Sequence, residues 1–108
     1  MLLCFGDDAL RALCCCKERL RNVLDTNTAT LLERRLFFLS AAESMSDIQV
    51  GPPLWRHTER EGHPPLYSIK VTDDLKLLFE PEVNDPADYA IPKHIKKIKI
   101  TKIIGSFQ

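Results

Sequence analysis

Residues 54–81 read LWRHTEREGHPPLYSIKVTDDLKLLFEP. From Leu66, the run Tyr67-Ser68-Ile69-Lys70-Val71 alternates apolar and polar residues, the period-2 pattern of a half-buried strand. Thr72-Asp73-Asp74 supplies a turn, because short polar side chains bond their own backbone. Leu75-Lys76-Leu77 resumes the alternation until Leu78 interrupts it. Pairing the two runs puts Tyr67, Ile69 and Val71 on one buried face with Leu75, Leu77 and Phe79. Ser68, Lys70, Thr72 and Lys76 fall on the other face. The stretch predicts a hairpin that offers cations to solvent, preceded by a polar arm containing His57 and His63.

On the N-terminal side, Met1 to Phe5 is a short apolar strand, ended by Gly6-Asp7-Asp8, where either aspartate can cap a helix. Leu10, Leu13, Cys14, Leu20 and Leu24 lie on one helical stripe, which predicts a single helix. Asp25-Thr26-Asn27-Thr28 breaks it. A second helix follows to about Ala42, starting at Asn27, Thr28 or the capping box Thr30-Leu31-Leu32-Glu33. Leu32, Leu36 and Leu39 face the core, Phe37 and Phe38 widen the apolar side, and Glu33, Arg34 and Arg35 form a solvated face. A short helix capped by Ser44 runs to Gln49. Beyond the hairpin, a polar loop from Glu82 to Pro92 leads to a strand in which Ile98, Ile100 and Ile104 alternate with Lys97, Lys99 and Thr101. The layout is α+β: two N-terminal helices packed on a small twisted antiparallel sheet, in a single domain spanning residues 1–108.

Fifteen basic and fifteen acidic residues leave no net charge, so bulk charge does not mark a nucleic-acid binder. The distribution is uneven: Lys93, Lys96, Lys97, Lys99 and Lys102 follow the acidic patch Glu80, Glu82, Asp85 and Asp88. No run is long enough to span a bilayer, and MLLCFGDDAL turns acidic too soon for a signal peptide, so a cytoplasmic location is expected. Cys14, Cys15 and Cys16 are consecutive and cannot bridge one another normally, and only Cys4 lies elsewhere. A disulfide framework and a zinc site are both disfavoured, and no metal or other cofactor is expected. His57 reads either as an ordinary surface or core histidine or as a phosphate contact and proton donor. His63 reads as solvent-exposed in a turn, and His94 has no evident partner. Trp55 and Tyr67 are aromatics able to stack on a base, though alternation sends Tyr67 to the core. The lysines from Lys96 to Lys102 suit a binding surface or the protection of an edge strand against aggregation.

Ser40-Ala41-Ala42-Glu43-Ser44, Pro52-Pro53, His57, Arg60, Tyr67-Ser68-Ile69 and Leu77-Leu78-Phe79-Glu80-Pro81 together resemble the HigB-type "killer" toxins. These belong to the RelE/ParE superfamily of bacterial toxin–antitoxin modules. The resemblance covers nearly the whole chain. It implies two helices on a twisted antiparallel sheet, and an antitoxin partner, commonly of helix-turn-helix type, encoded alongside. It further implies metal-independent cleavage of messenger RNA on the ribosome, in which the 2′-OH attacks the neighbouring phosphate. On that reading His57 and Lys76 are catalytic, and Arg60, Lys70, Lys97 and Lys99 hold phosphate or RNA. The family's glycine-rich basic turn is replaced here by Arg60-Glu61-Gly62-His63-Pro64-Pro65. Lys76 stands where an arginine is usual, and Gly105-Ser106-Phe107 where a polar tail is usual. A second reading therefore stays open: a non-catalytic protein of the same fold that binds an antitoxin-like partner or a second copy of itself.

Overall fold

The computed structural model describes residues 1–105, and Ser106 and Phe107 of the Gly105-Ser106-Phe107 ending lie outside the described residues. Three helices pack on a five-stranded sheet, an α+β arrangement. In chain order these are β1 (Leu2–Phe5), α1 (Asp8–Cys14), α2 (Lys17–Val23), α3 (Thr26–Ala41), β2 (His57–Arg60), β3 (Leu66–Thr72), β4 (Leu75–Pro81) and β5 (Lys97–Gly105). Short 3-10 turns occupy Met45–Asp47, Pro86–Ala90 and Pro92–His94. The strand order is β1-β5-β4-β3-β2. Every pairing is antiparallel except β1 with β5, so the sheet is mixed rather than wholly antiparallel. The helices between β1 and the other strands form the long connection a parallel pair requires.

The hairpin pairs the expected faces as far as Lys70, beyond which Val71 is an extra, bulged residue and Thr72, expected on the open face, lies opposite the buried Leu75. Ile69 lies opposite Leu77, Tyr67 opposite Phe79 and Lys70 opposite Lys76. Ile69, Val71, Leu75, Leu77 and Phe79 are buried, together with Ile98 and Ile100 of β5, against Leu20, Leu24, Ala29, Leu32 and Leu39 of the helical layer. Burying such side chains stabilises the fold by roughly 1.5–3 kcal/mol each. Arg35 ties α3 to the sheet, its Nε donating to the Lys70 carbonyl at 3.0 Å.

Several elements differ from the sequence expectations. The predicted first helix is two, because Cys16 is extended (φ −127°, ψ 110°). No glycine or proline marks that break. Three consecutive cysteines are weak helix formers, and the change of direction lets Leu20 and Leu24 reach the core. α3 starts earlier than expected, because Asp25 caps it by accepting from the Thr28 N–H at 2.8 Å. Glu33 and Arg35 are half-buried rather than solvated, with Arg21 3.2 Å from Glu33, whereas Phe37 and Phe38 are exposed. In β5 the alternation changes phase. Phe79 pairs with Ile100 but Leu78 with Lys102, so Thr101 is an extra, bulged residue. Ile103, opposite Leu77, therefore packs on the core, and Ile104, opposite Lys76, is exposed.

β5 ends where it meets the hairpin turn, with Gly105 opposite Leu75. A Cβ at Gly105 would run into the Asp74 carbonyl oxygen and lie 3.1 Å from Leu75 Cα. Both obstacles are backbone and cannot rotate away. Gly105→Ala is expected to destabilise the protein by about 1–3 kcal/mol, measurable as a lower urea midpoint with an unchanged slope.

Candidate functional site

β2 sets the geometry of the open sheet face. The chain reaches it through Leu54, which is buried and whose carbonyl accepts from the Lys70 N–H at 2.7 Å. Trp55 follows with φ 51°, a left-handed conformation costly for a bulky residue, and its side chain is half-exposed. Arg56 then stacks over Tyr67, 5.8 Å from the ring centroid, and its guanidinium donates to the Met45 carbonyl. With that approach held, His57 pairs opposite Ser68. Strict alternation would send Arg60 to the opposite face from His57. A bulge between Thr58 and Arg60 leaves Glu59 as the extra residue and places Arg60 opposite Leu66, on the same face as Ser68.

The result is a cluster centred on Glu59. Its Oε1 accepts from the Ser68 hydroxyl at 2.7 Å and from the Lys76 ammonium at 3.2 Å. The Ser68 bond is the main reason its carboxyl is held below the ordinary carboxylate range, with Lys76 and the His57 imidazole pulling the same way and desolvation opposing. Glu59 is thus ionised at neutral pH, beside a cation and an imidazole. Ser68, expected on the open face, is there but buried beneath this carboxylate.

Of the candidate residues from the sequence, His57, Arg60, Lys70 and Lys76 share this face. Lys70 and Lys76 are directly opposite, where like charges repel. Each is turned to its own carboxylate: Lys70 to Asp73 at 2.6 Å and Lys76 to Glu59. The Lys70 bond holds the exposed Asp73 carboxyl below its ordinary range. Arg60 lies 3.6 Å from Glu80. The lysine side chains are 40% and 55% exposed, so the face is open at this end. Lys97 and Lys99 are not brought to the cluster. They sit on β5, three strand spacings from β2, a separation of about 14 Å. Lys97 pairs with Glu82 at 3.4 Å, and Lys99 lies between Glu80 and Cys4 in the register.

One histidine differs from expectation, and another is exposed as expected but has a contact the sequence did not show. His94 does have a partner, Asp88, at 2.8 Å. His63 is exposed but stacks on Tyr89, their centroids 5.5 Å apart, which holds the Pro86–Ala90 turn against the β2–β3 loop. Among the described residues no three His, Cys, Asp or Glu side chains are grouped to hold a metal ion. Burial pushes the Cys14 thiol up to about 11, and it raises Cys4 with help from Glu82.

Glu59 is the residue the sequence reading missed. The available signal was its place two residues after His57, which puts both side chains on one strand face. No family model, curated protein or solved structure matches the chain.

Glu59→Gln tests the cluster. A carboxyl with a depressed folded pKa contributes stability that is present above the unfolded value and lost as pH falls through the folded one. Wild type should exceed the variant by roughly 1 kcal/mol or less at pH 7, as expected for a partly exposed pair. That margin should close below pH 4.5, the carboxyl's ordinary value, in urea titrations at several pH values.

Proposed function

We propose that the chain is the toxin of a two-gene toxin–antitoxin module, of the RelE/HigB kind its sequence resembles, and cleaves messenger RNA on the ribosome. The observation that supports this is the gathering of Glu59, His57 and Lys76 on an open sheet face. RNA cleavage of this type needs a base, an acid and cations around one phosphate. Glu59, ionised at neutral pH, takes the proton from the 2′-OH as that oxygen attacks phosphorus. Lys76 stabilises the charge that builds on the phosphate oxygens. His57 gives a proton to the departing 5′-oxygen. The products are a 2′,3′-cyclic phosphate and a 5′-OH, with no metal in the scheme. Arg60 and Lys70 hold the flanking phosphates, and Lys97 and Lys99 extend the track at a distance. Work on ribosomes places the protein in the cytoplasm. Among the described residues no helix is long and apolar enough to cross a membrane.

A second reading is favoured by the ion pairs. Lys70–Asp73, Arg60–Glu80 and Lys97–Glu82 each spend a cation on a carboxylate. A polyanion gains little from a face already matched in charge. On this reading the chain binds a helix-turn-helix antitoxin or another protein and cuts nothing.

Inducing the protein alone in a bacterial host and mapping new 5′ ends on messenger RNA separates the two. Cleavage predicts new ends in coding regions that vanish when translation is blocked. It also predicts that Lys70→Ala with Lys76→Ala abolishes toxicity while the melting temperature barely moves. Absence of new ends from soluble, folded protein would leave the binding reading. Toxicity surviving in the folded double variant would show that the site is elsewhere.

A further inference from the structure

The two edges of the sheet are unlike. β2 is a four-residue strand, His-Thr-Glu-Arg, charged and bulged, as edges protected against pairing are. β1, at the other edge, is Leu-Leu-Cys-Phe, with no charge, proline or bulge. Its inner side is committed to β5: the Leu2 N–H donates to the Lys96 carbonyl and the Gly6 N–H to Ile100. By the alternation of a parallel ladder, Leu3 and Phe5 direct their backbone groups outward. Outside the strand ladder, no backbone hydrogen bond from the Leu3 or Phe5 N–H is present among the described residues. Beside this edge runs an open groove of about 540 Å³, lined by Leu3, Phe5, Cys14, Cys15, Leu36 and Phe37. Phe37 is 74% exposed and Leu2 69%.

We propose that β1 pairs antiparallel with β1 of a second copy, joining two sheets into one. This interface is independent of the RNA reading. The outward-facing residues select the register. Leu3 opposite Phe5 of the other copy, and Phe5 opposite its Leu3, makes both hydrogen-bonded pairs at once. The same register puts Cys4 opposite Cys4 in a non-hydrogen-bonded pair, with Cα atoms about 4.5 Å apart. It carries the exposed Asp7-Asp8 end of each β1 toward the start of the other copy's β5, where Lys96 is exposed. That complementarity between opposite ends of one strand is what an antiparallel self-pairing uses and a parallel one does not. Both helical layers then lie on the same side, and the two Phe37 grooves face each other.

Sedimentation equilibrium on the full chain over a range of concentrations should show a species of twice the 12.3 kDa chain mass. Leu3→Pro removes an outward N–H without touching the bonds to β5, and should give folded monomer by circular dichroism. Should that variant not fold, the cysteines provide the second test. In Cys15→Ser with Cys16→Ser, oxidised glutathione at alkaline pH should link the copies. One Cys4 thiolate takes up a glutathionyl sulfur and releases glutathione. The other Cys4 thiolate then displaces the second glutathione, leaving one disulfide. Cys4→Ser in that background should abolish the link. A monomer at all concentrations overturns the proposal, as does a dimer that persists in folded Leu3→Pro or forms no Cys4-dependent link. A monomer that pairs only with a different protein assigns the edge to that partner and also overturns it.

Discussion

The pairing of Ile69 with Leu77 is the constraint on which the other elements depend. It places Phe79, Leu75 and Val71 in one plane of apolar side chains beneath α3. A one-residue slip would turn every one of these outward and bring Lys70 and Lys76 into the core, so the hydrophobic effect holds this register firmly. β4 is the middle strand of the sheet, and both neighbours take their register from it.

The same pairing has a consequence on the opposite face. It sets Lys70 against Lys76, a repulsion that is relieved by turning each ammonium to a separate carboxylate. The acids that do this come from the hairpin turn and from β2. A chain with equal numbers of acidic and basic residues can match most of the cations on such a face. Local pairing, rather than net charge, therefore decides what this surface attracts. Glu59 is the member whose position gives it chemistry, because a buried serine hydroxyl and an ammonium both favour its ionised form.

Two of the three bulges in the sheet adapt the simple alternation of the sequence to these demands. The one at Glu59 brings Arg60 around to the face of His57. The one at Thr101 exchanges Ile103 for Ile104 as the residue that reaches the core. Both make a period-2 reading correct on one side of the extra residue and out of phase on the other.

The sequence by itself determined the hairpin, its turn, its buried and exposed faces as far as Lys70, and the α+β order of elements. Those are local periodicities, and the free energy of burying Ile69, Leu77 and Phe79 outweighs any competing arrangement. It also made His57, Arg60, Lys70 and Lys76 candidates, since strand alternation alone puts the two lysines on one face. Tertiary structure alone decided the break at Cys16, the parallel docking of β1 on β5, the three bulges and the carboxylate partners. Each of these depends on contacts between residues far apart in the chain, such as Glu59 with Lys76 or Leu2 with Lys96. No window of neighbouring residues carries that information, because the energy that selects it arises only once the sheet has closed.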